Sequence, residues 1–276
     1  MDIQEKYWIK AKKSLGQNFL KDDDTLRQIV DINTITGSEI IEVWPWYGAL
    51  SEHIVQQRPK KFEMIELDTF LVWVLKDRII QEDWNQYCSH ICIEEMDILQ
   101  YQRNNSSPYS IIANIPYYIT SPILDHFLYR VHNMPDSMTI LMQKDVADKI
   151  LKQYHHKKPK SSVLSLFIAK KMDAIKVCDV PASCFNPAPK VDSSVLHFTK
   201  KIDINNHSAD DEIFLGFIKK AFCEPRKKLI SNLWKNGYEL DAIKDIFISH
   251  NISLNARAED LHLYMYEDII KSLIKA

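Results

Sequence analysis

The sequence predicts an α/β fold, a body built on a mainly parallel sheet, with a small all-helical C-terminal domain after it. Three observations carry that expectation. Between about residues 39 and 114 short apolar runs alternate with helical patterns, as in βαβ units. Pro181, Pro187 and Pro189 then mark a loop before one alternating strand, because proline cannot sit inside a helix. After a polar connector at 200–211 the periodicity is helical to the end. A chain of 276 residues exceeds the usual size of one domain, and the boundary is placed in that connector, giving domains at 1–203 and 204–276.

Taken in order, the candidate strands are 39–43, 62–66, 90–94 and 109–114. Leu50 and Ile54 recur at helical spacing in the first crossover, and the apolar run 71–80 fills the next. A helix at 122–131 leads to a fifth strand at 137–142, and 144–151 reads as another helix. The strand at 194–199, beyond the prolines, is expected to close the sheet.

Composition limits the function. Apolar residues are 46% and charged residues 26% of the chain, as in soluble globular proteins. Residues 1–13 carry Asp2, Glu5 and Lys6 and lack the apolar stretch of a secretory signal. The longest apolar run, 70–75, is too short to span a bilayer. Five cysteines without a CxxC pair read as reduced thiols, with no disulfide framework and no metal site. A cytoplasmic protein is expected. The net charge of -2 does not announce a nucleic-acid binder, but its distribution says more. Lys10, Lys12, Lys13 and Lys21 crowd one segment, and Lys152, Lys157, Lys158 and Lys160 surround His155 and His156. Lys219, Lys220, Arg226, Lys227 and Lys228 share a third stretch. Such clusters on a near-neutral chain fit one phosphate-facing side.

Chemistry concentrates at the strand ends, where open α/β sheets bind ligands. The fourth strand runs into Asn114, Ile115, Pro116 and Tyr117. An aromatic amine is a poor nucleophile because its lone pair is delocalised. Hydrogen bonds from its protons to the Asn114 side-chain oxygen and a nearby main-chain carbonyl would aim that lone pair, while the Tyr117 ring stacks on the base. Catalysis of that kind is orientation plus charge stabilisation. Glu66 ends the second strand, where an acid typically accepts from ribose hydroxyls. Asp97, after the third, is placed to meet an adenine amino group. Each acid alone also fits a helix cap, whereas the pair upstream of Asn114 favours a nucleoside-containing cofactor.

Six ordered segments carry a resemblance. KKSLGQNFL at 12–20, IELD at 65–68, NIPYYIT at 114–120, MQKDVADKI at 142–150, FNPAPKVDSSV at 185–195 and RAEDL at 257–261 resemble the bacterial KsgA-type small-subunit rRNA adenine dimethyltransferases. The resemblance implies a Rossmann-like class I methyltransferase domain and a helical C-terminal domain contributing to rRNA binding. It implies transfer of two methyl groups from S-adenosyl-L-methionine to N6 of each of two adjacent adenosines near the 3′ end of small-subunit rRNA, by a monomer acting in ribosome assembly. Asn18 and Leu20 would close over the cofactor, with Trp44 and Gly48 in the loop beside it, Glu66 at its ribose and Asp97 at its adenine. Asn114, Pro116 and Tyr117 would hold the target, Asn114 also facing the cofactor, and Phe185 would pack on the base from the other side. A macrolide-resistance methyltransferase of large-subunit RNA shares this core; Arg257, Ala258 and Glu259 favour the small-subunit enzyme.

One loop departs from the family pattern Glu-x-Gly-x-Gly-x-Gly. The chain reads Glu42, Val43, Trp44, Pro45, Trp46, Tyr47, Gly48, although backbone must approach the cofactor closely here. If the loop keeps its path, two indoles enter a site built for none. One consequence would be a non-catalytic rRNA-binding assembly factor that has lost the cofactor, a reading opposed by the presence of Asn114, Tyr117, Glu66 and Asp97. The other starts from counting. Glycine occurs 5 times and tryptophan 6 times, against a glycine average near 7%, which is the pattern expected of a gene that reads UGA as glycine.

Overall fold

The computed structural model describes residues 3–103, 105–154, 159–202 and 209–275. Among these lie nine strands: β1 (Phe19–Leu20), β2 (Glu39–Val43), β3 (Lys61–Glu66), β4 (Ile91–Glu95), β5 (Ser110–Asn114), β6 (Ser137–Gln143), β7 (Met172–Val180), β8 (Phe185–Asn186) and β9 (Ser193–Lys200). Seven form one sheet in the order β4-β3-β2-β5-β6-β9-β7, and β1 pairs with β8 in a separate ribbon. The pairs β3–β4, β2–β3, β2–β5 and β5–β6 are parallel, and β9 runs antiparallel to β6. The chain winds outward from β2 to β4 on one side, then returns to β5 and winds the other way. The crevice at the carboxyl ends of β2 and β5 is therefore the topological switch point, where such sheets take their ligands.

Local chemistry explains the elements. Ile40, Ile41 and Val43 of β2 are almost fully buried, as expected of a parallel strand covered on both faces. Asp22 and Asp68 start the helices Asp23–Asp31 and Thr69–Gln81, accepting from the backbone N–H of Thr25 and Phe70. Leu50, Ile54 and Val55 of the helix Ala49–Gln56 pack into the same core as Phe62, Met64 and Leu75.

The sheet does not close on the strand expected to close it. β9 lies inside, and the edge strand is β7, which sequence periodicity did not reveal. Only Met172 and Val180, its two end residues, are buried. An edge strand wetted on both faces and carrying Lys176 and Asp179 has no clean alternation to read.

The chain divides into two compact units, residues 1–147 with 174–200 and residues 148–173 with 201–276. Positions 203 and 204, where the sequence suggests a boundary, lie outside the described residues. In the second unit the helix Val163–Lys171 joins the C-terminal helices. A Ser162–Ser165 capping box begins it, Phe167 meets Phe214 at a centroid distance of 6.5 Å, and Lys171 forms a buried ion pair of 2.6 Å with Asp211. Tyr266, fully buried, donates to the Ala258 carbonyl at 2.5 Å. No helix among the described residues is long and apolar enough to cross a membrane.

Candidate active site

Three segments meet at the switch point: the N-terminal stretch 12–20, the loop 44–48 after β2, and the run 114–117 after β5. The first is tied down by Asp68, which accepts from Lys12 Nζ at 2.8 Å and Gln17 Nε2 at 3.1 Å. Those contacts hold the Asp68 carboxyl below its ordinary range against the effect of burial. Gly16 has φ +63°, and a Cβ there would lie 3.2 Å from Pro116 Cβ, so glycine permits the close approach of this stretch to the acceptor run. Asn18 donates to the Gly16 carbonyl at 3.1 Å. Leu20 is buried and pairs across the ribbon with Phe185, itself buried.

The loop is held by Arg78, which is buried and donates to the Tyr47 carbonyl at 2.8 Å, to Glu52 at 2.8 Å and to Glu82 at 2.7 Å. Gly48, at φ +91°, has Arg78 Nη1 only 2.9 Å from where a Cβ would stand. Glu66, fully buried, accepts from the backbone N–H of Leu67 at 2.8 Å, Asp68 at 2.9 Å and Trp46 at 3.2 Å. Burial outweighs these bonds and pushes its carboxyl up to about 7. Glu42, beneath the loop, accepts from Ser51 Oγ at 2.6 Å and is pushed by burial up to about 8.

Asn114 ends β5 nearly buried, and its main-chain oxygen accepts from Trp46 Nε1 at 2.8 Å. Pro116 accepts from the Ile119 N–H at 3.2 Å. The Tyr117 hydroxyl is 2.7 Å from Ser193 Oγ, which fixes the ring's long axis, and the partly buried side chain packs against the core. Asp97 caps a short turn after β4, accepting from the Leu99 N–H at 3.0 Å. Leu20, Trp44, Trp46 and Asn114 thus share one lining, whereas Asp97 does not contribute to it. Arg78, Gln17 and Ser193 escaped the sequence reading. A charged residue inside the apolar run of the helix Thr69–Gln81 was the available signal for Arg78; Gln17 and Ser193 gave none, because their partners are remote in sequence.

The sheet order, the switch-point crevice and the helical second unit define a Rossmann-like class I S-adenosylmethionine-dependent methyltransferase. Two solved structures share the fold: a dimethyladenosine transferase from Plasmodium falciparum (TM-score 0.75, 21% identity, 93% of this chain and 98% of that one) and the 23S rRNA methyltransferase ErmE (TM-score 0.73, 19% identity, 93% and 100%). The Ribosomal RNA adenine dimethylase family model matches residues 9–275. A Mycoplasma mobile protein named ribosomal RNA small subunit methyltransferase A is 36% identical over 95% of this chain and 98% of its own length. The chain belongs to the ribosomal RNA adenine dimethylase family, enzymes that methylate rRNA adenine with S-adenosylmethionine as donor.

That donor does not fit the residues as they stand. The space bounded by Leu20, Glu42, Trp44, Trp46, Leu50 and Asn114 is about 10 Å³, room for one water, where ligand pockets usually offer roughly 300 Å³ or more. Trp44 and Trp46 are 4% and 5% exposed, and the Trp46 ring stands edge-on to Phe19 at 5.7 Å. The indoles do enter the site, and they fill it.

Proposed function

We propose that the enzyme dimethylates two adjacent adenosines near the 3′ end of small-subunit rRNA, as a cytoplasmic monomer acting on the immature small subunit. In this reading Asn114 and the carbonyl of the Pro116 turn hold the adenine amine, and Tyr117 and Phe185 pack on the two faces of the base. Asn18, Leu20, the loop 44–48, Glu66, Asp97 and Asn114 line the cofactor side. Residues 1–203 hold the methyltransferase domain, apart from the stretch 148–173 that groups with the C-terminal helices, and 204–276 contribute to the rRNA surface. The observation that carries the acceptor assignment is the place of Asn114, at the carboxyl end of β5 and against the loop 44–48, whose Trp46 ring reaches its main-chain oxygen. Small-subunit rather than large-subunit RNA is supported by the names of relatives such as that of Mycoplasma mobile; the likeness to ErmE is one of fold alone. Nothing beyond the filled loop favours a non-catalytic assembly factor.

The test is methyl transfer to small ribosomal subunits lacking the modification, run in the Trp44→Gly/Trp46→Gly form. Asn114→Ala in that background is expected to lower the single-turnover rate by roughly 100-fold or more through lost orientation, with donor affinity changed far less. Transfer to large-subunit RNA instead, or an undiminished Asn114→Ala rate, would overturn the assignment.

A further inference from the structure

Six non-glycine residues among those described have φ in the left-handed region: Trp8, Trp44, Trp46, Arg58, Asp83 and Asn251. Asp and Asn are the residues normally found there, and a bulky side chain in that region is an outlier. Half of the six are tryptophan, a residue that occurs only 6 times in 276.

Each of the three tryptophans sits where the backbone itself calls for glycine. Trp8 follows the helix Ile3–Lys6. Its N–H donates to the Glu5 carbonyl at 3.3 Å, and the Ile9 N–H donates to the Gln4 carbonyl at 2.9 Å. That pair of bonds is the Schellman end of a helix, whose left-handed residue is usually glycine. The Trp8 side chain is 84% exposed, so packing does not offset the conformational cost. At 44 and 46 the main chain is anchored by bonds that ignore the side chain. The Trp44 N–H donates to the Ile65 carbonyl at 3.0 Å, and the Trp46 N–H to Glu66 Oε2 at 3.2 Å. Glycine would keep both bonds, accept φ +56° without strain and leave the crevice open.

We propose that the native polypeptide carries glycine at positions 8, 44 and 46, its gene reading UGA as glycine, and that tryptophan at these positions is a product of the other decoding. The donor cleft and the family's chemistry then agree, and glycine rises from 5 to 8 residues of the chain. The backbone argument is independent of the site assignment above; only the binding arm of the test rests on it.

Peptide mass spectrometry of the protein isolated from cells that carry the gene reads the residues directly. Glycine at 8, 44 and 46 is expected, and tryptophan at 44 and 46 overturns the proposal. In parallel, calorimetry with S-adenosylhomocysteine compares the tryptophan chain with the full-length Trp44→Gly/Trp46→Gly form, circular dichroism establishing that both are folded. A gain in affinity of roughly 100-fold or more is expected for the glycine form, and equal affinities count against the proposal. A glycine form that binds the ligand but leaves small subunits unmethylated would sink the acceptor assignment and leave this inference standing. Trp8→Gly and Trp8→Ala separate the backbone effect from loss of the ring: only glycine should raise the melting temperature, and an equal rise in both refutes the assignment at position 8.

Discussion

At the scale of single residues the site is governed by buried carboxylates. Glu42 and Glu66 lie under and beside the loop with their carboxyl groups pushed up to about 8 and about 7, burial being the largest cause in both. The sign follows from linkage. A carboxyl whose folded value exceeds its ordinary value near 4.5 binds its proton more tightly in the folded state, so stability falls as pH rises between those two values. Below about 4.5 the penalty is absent, and above the folded value it is complete. Urea unfolding of the chain as written is therefore expected to lose up to about 1.4 kcal/mol per pH unit per group in that window. Glu42→Gln keeps an acceptor for Ser51 and should flatten the curve; a flat curve in the parent chain would show that Glu42 is not buried as described.

Elements come next, and here the clamp on the loop matters more than the loop. Arg78, from the helix Thr69–Gln81, holds the Tyr47 carbonyl and two carboxylates while its guanidinium lies 5.1 Å from the Trp84 ring centroid. Arg78→Ala leaves a buried carbonyl without its donor and is expected to cost about 3 kcal/mol, read as a lower urea midpoint at pH 7. Gly48→Ala adds a methyl at 2.9 Å from the same guanidinium and forces a left-handed alanine. A loss of about 1–3 kcal/mol is expected, and a neutral Gly48→Ala would mean that the loop can leave this path.

For the whole molecule the question is how a chain of net charge -2 meets RNA. Lys219, Lys220, Arg226, Lys227 and Lys228 of the second unit are all exposed. Of the cluster around His155 and His156, residues 155–158 lie outside the described residues. Phosphate contacts release counterions, so each one removed lowers the slope of log affinity against log salt by about 0.7–0.9. Arg226→Glu and Lys227→Glu are each expected to weaken binding to small-subunit rRNA between roughly 50 and 200 mM salt and to reduce that slope by about one. An unchanged slope in filter binding would remove this face from the interface.

The parallel half of the sheet was legible because its strands, such as β2 and β5, are apolar runs bounded by turns, and burial on both faces leaves that trace in any sequence. Asn114, Glu66 and Asp97 were legible as strand-end residues, since position at a carboxyl edge follows from the alternation alone. β7 was not, because an edge strand wetted on both faces has no period to detect. Nor were Arg78, Gln17 and Ser193, whose partners Tyr47, Asp68 and Tyr117 are brought near only by the fold. The sequence by itself determined the fold class, the family motifs and the oddity of tryptophan in a glycine loop. Only the tertiary structure decided that Trp44 and Trp46 fill the crevice, and that Trp8 shares their left-handed backbone. Volume and dihedral angle are properties of a folded chain, and residue order does not carry them.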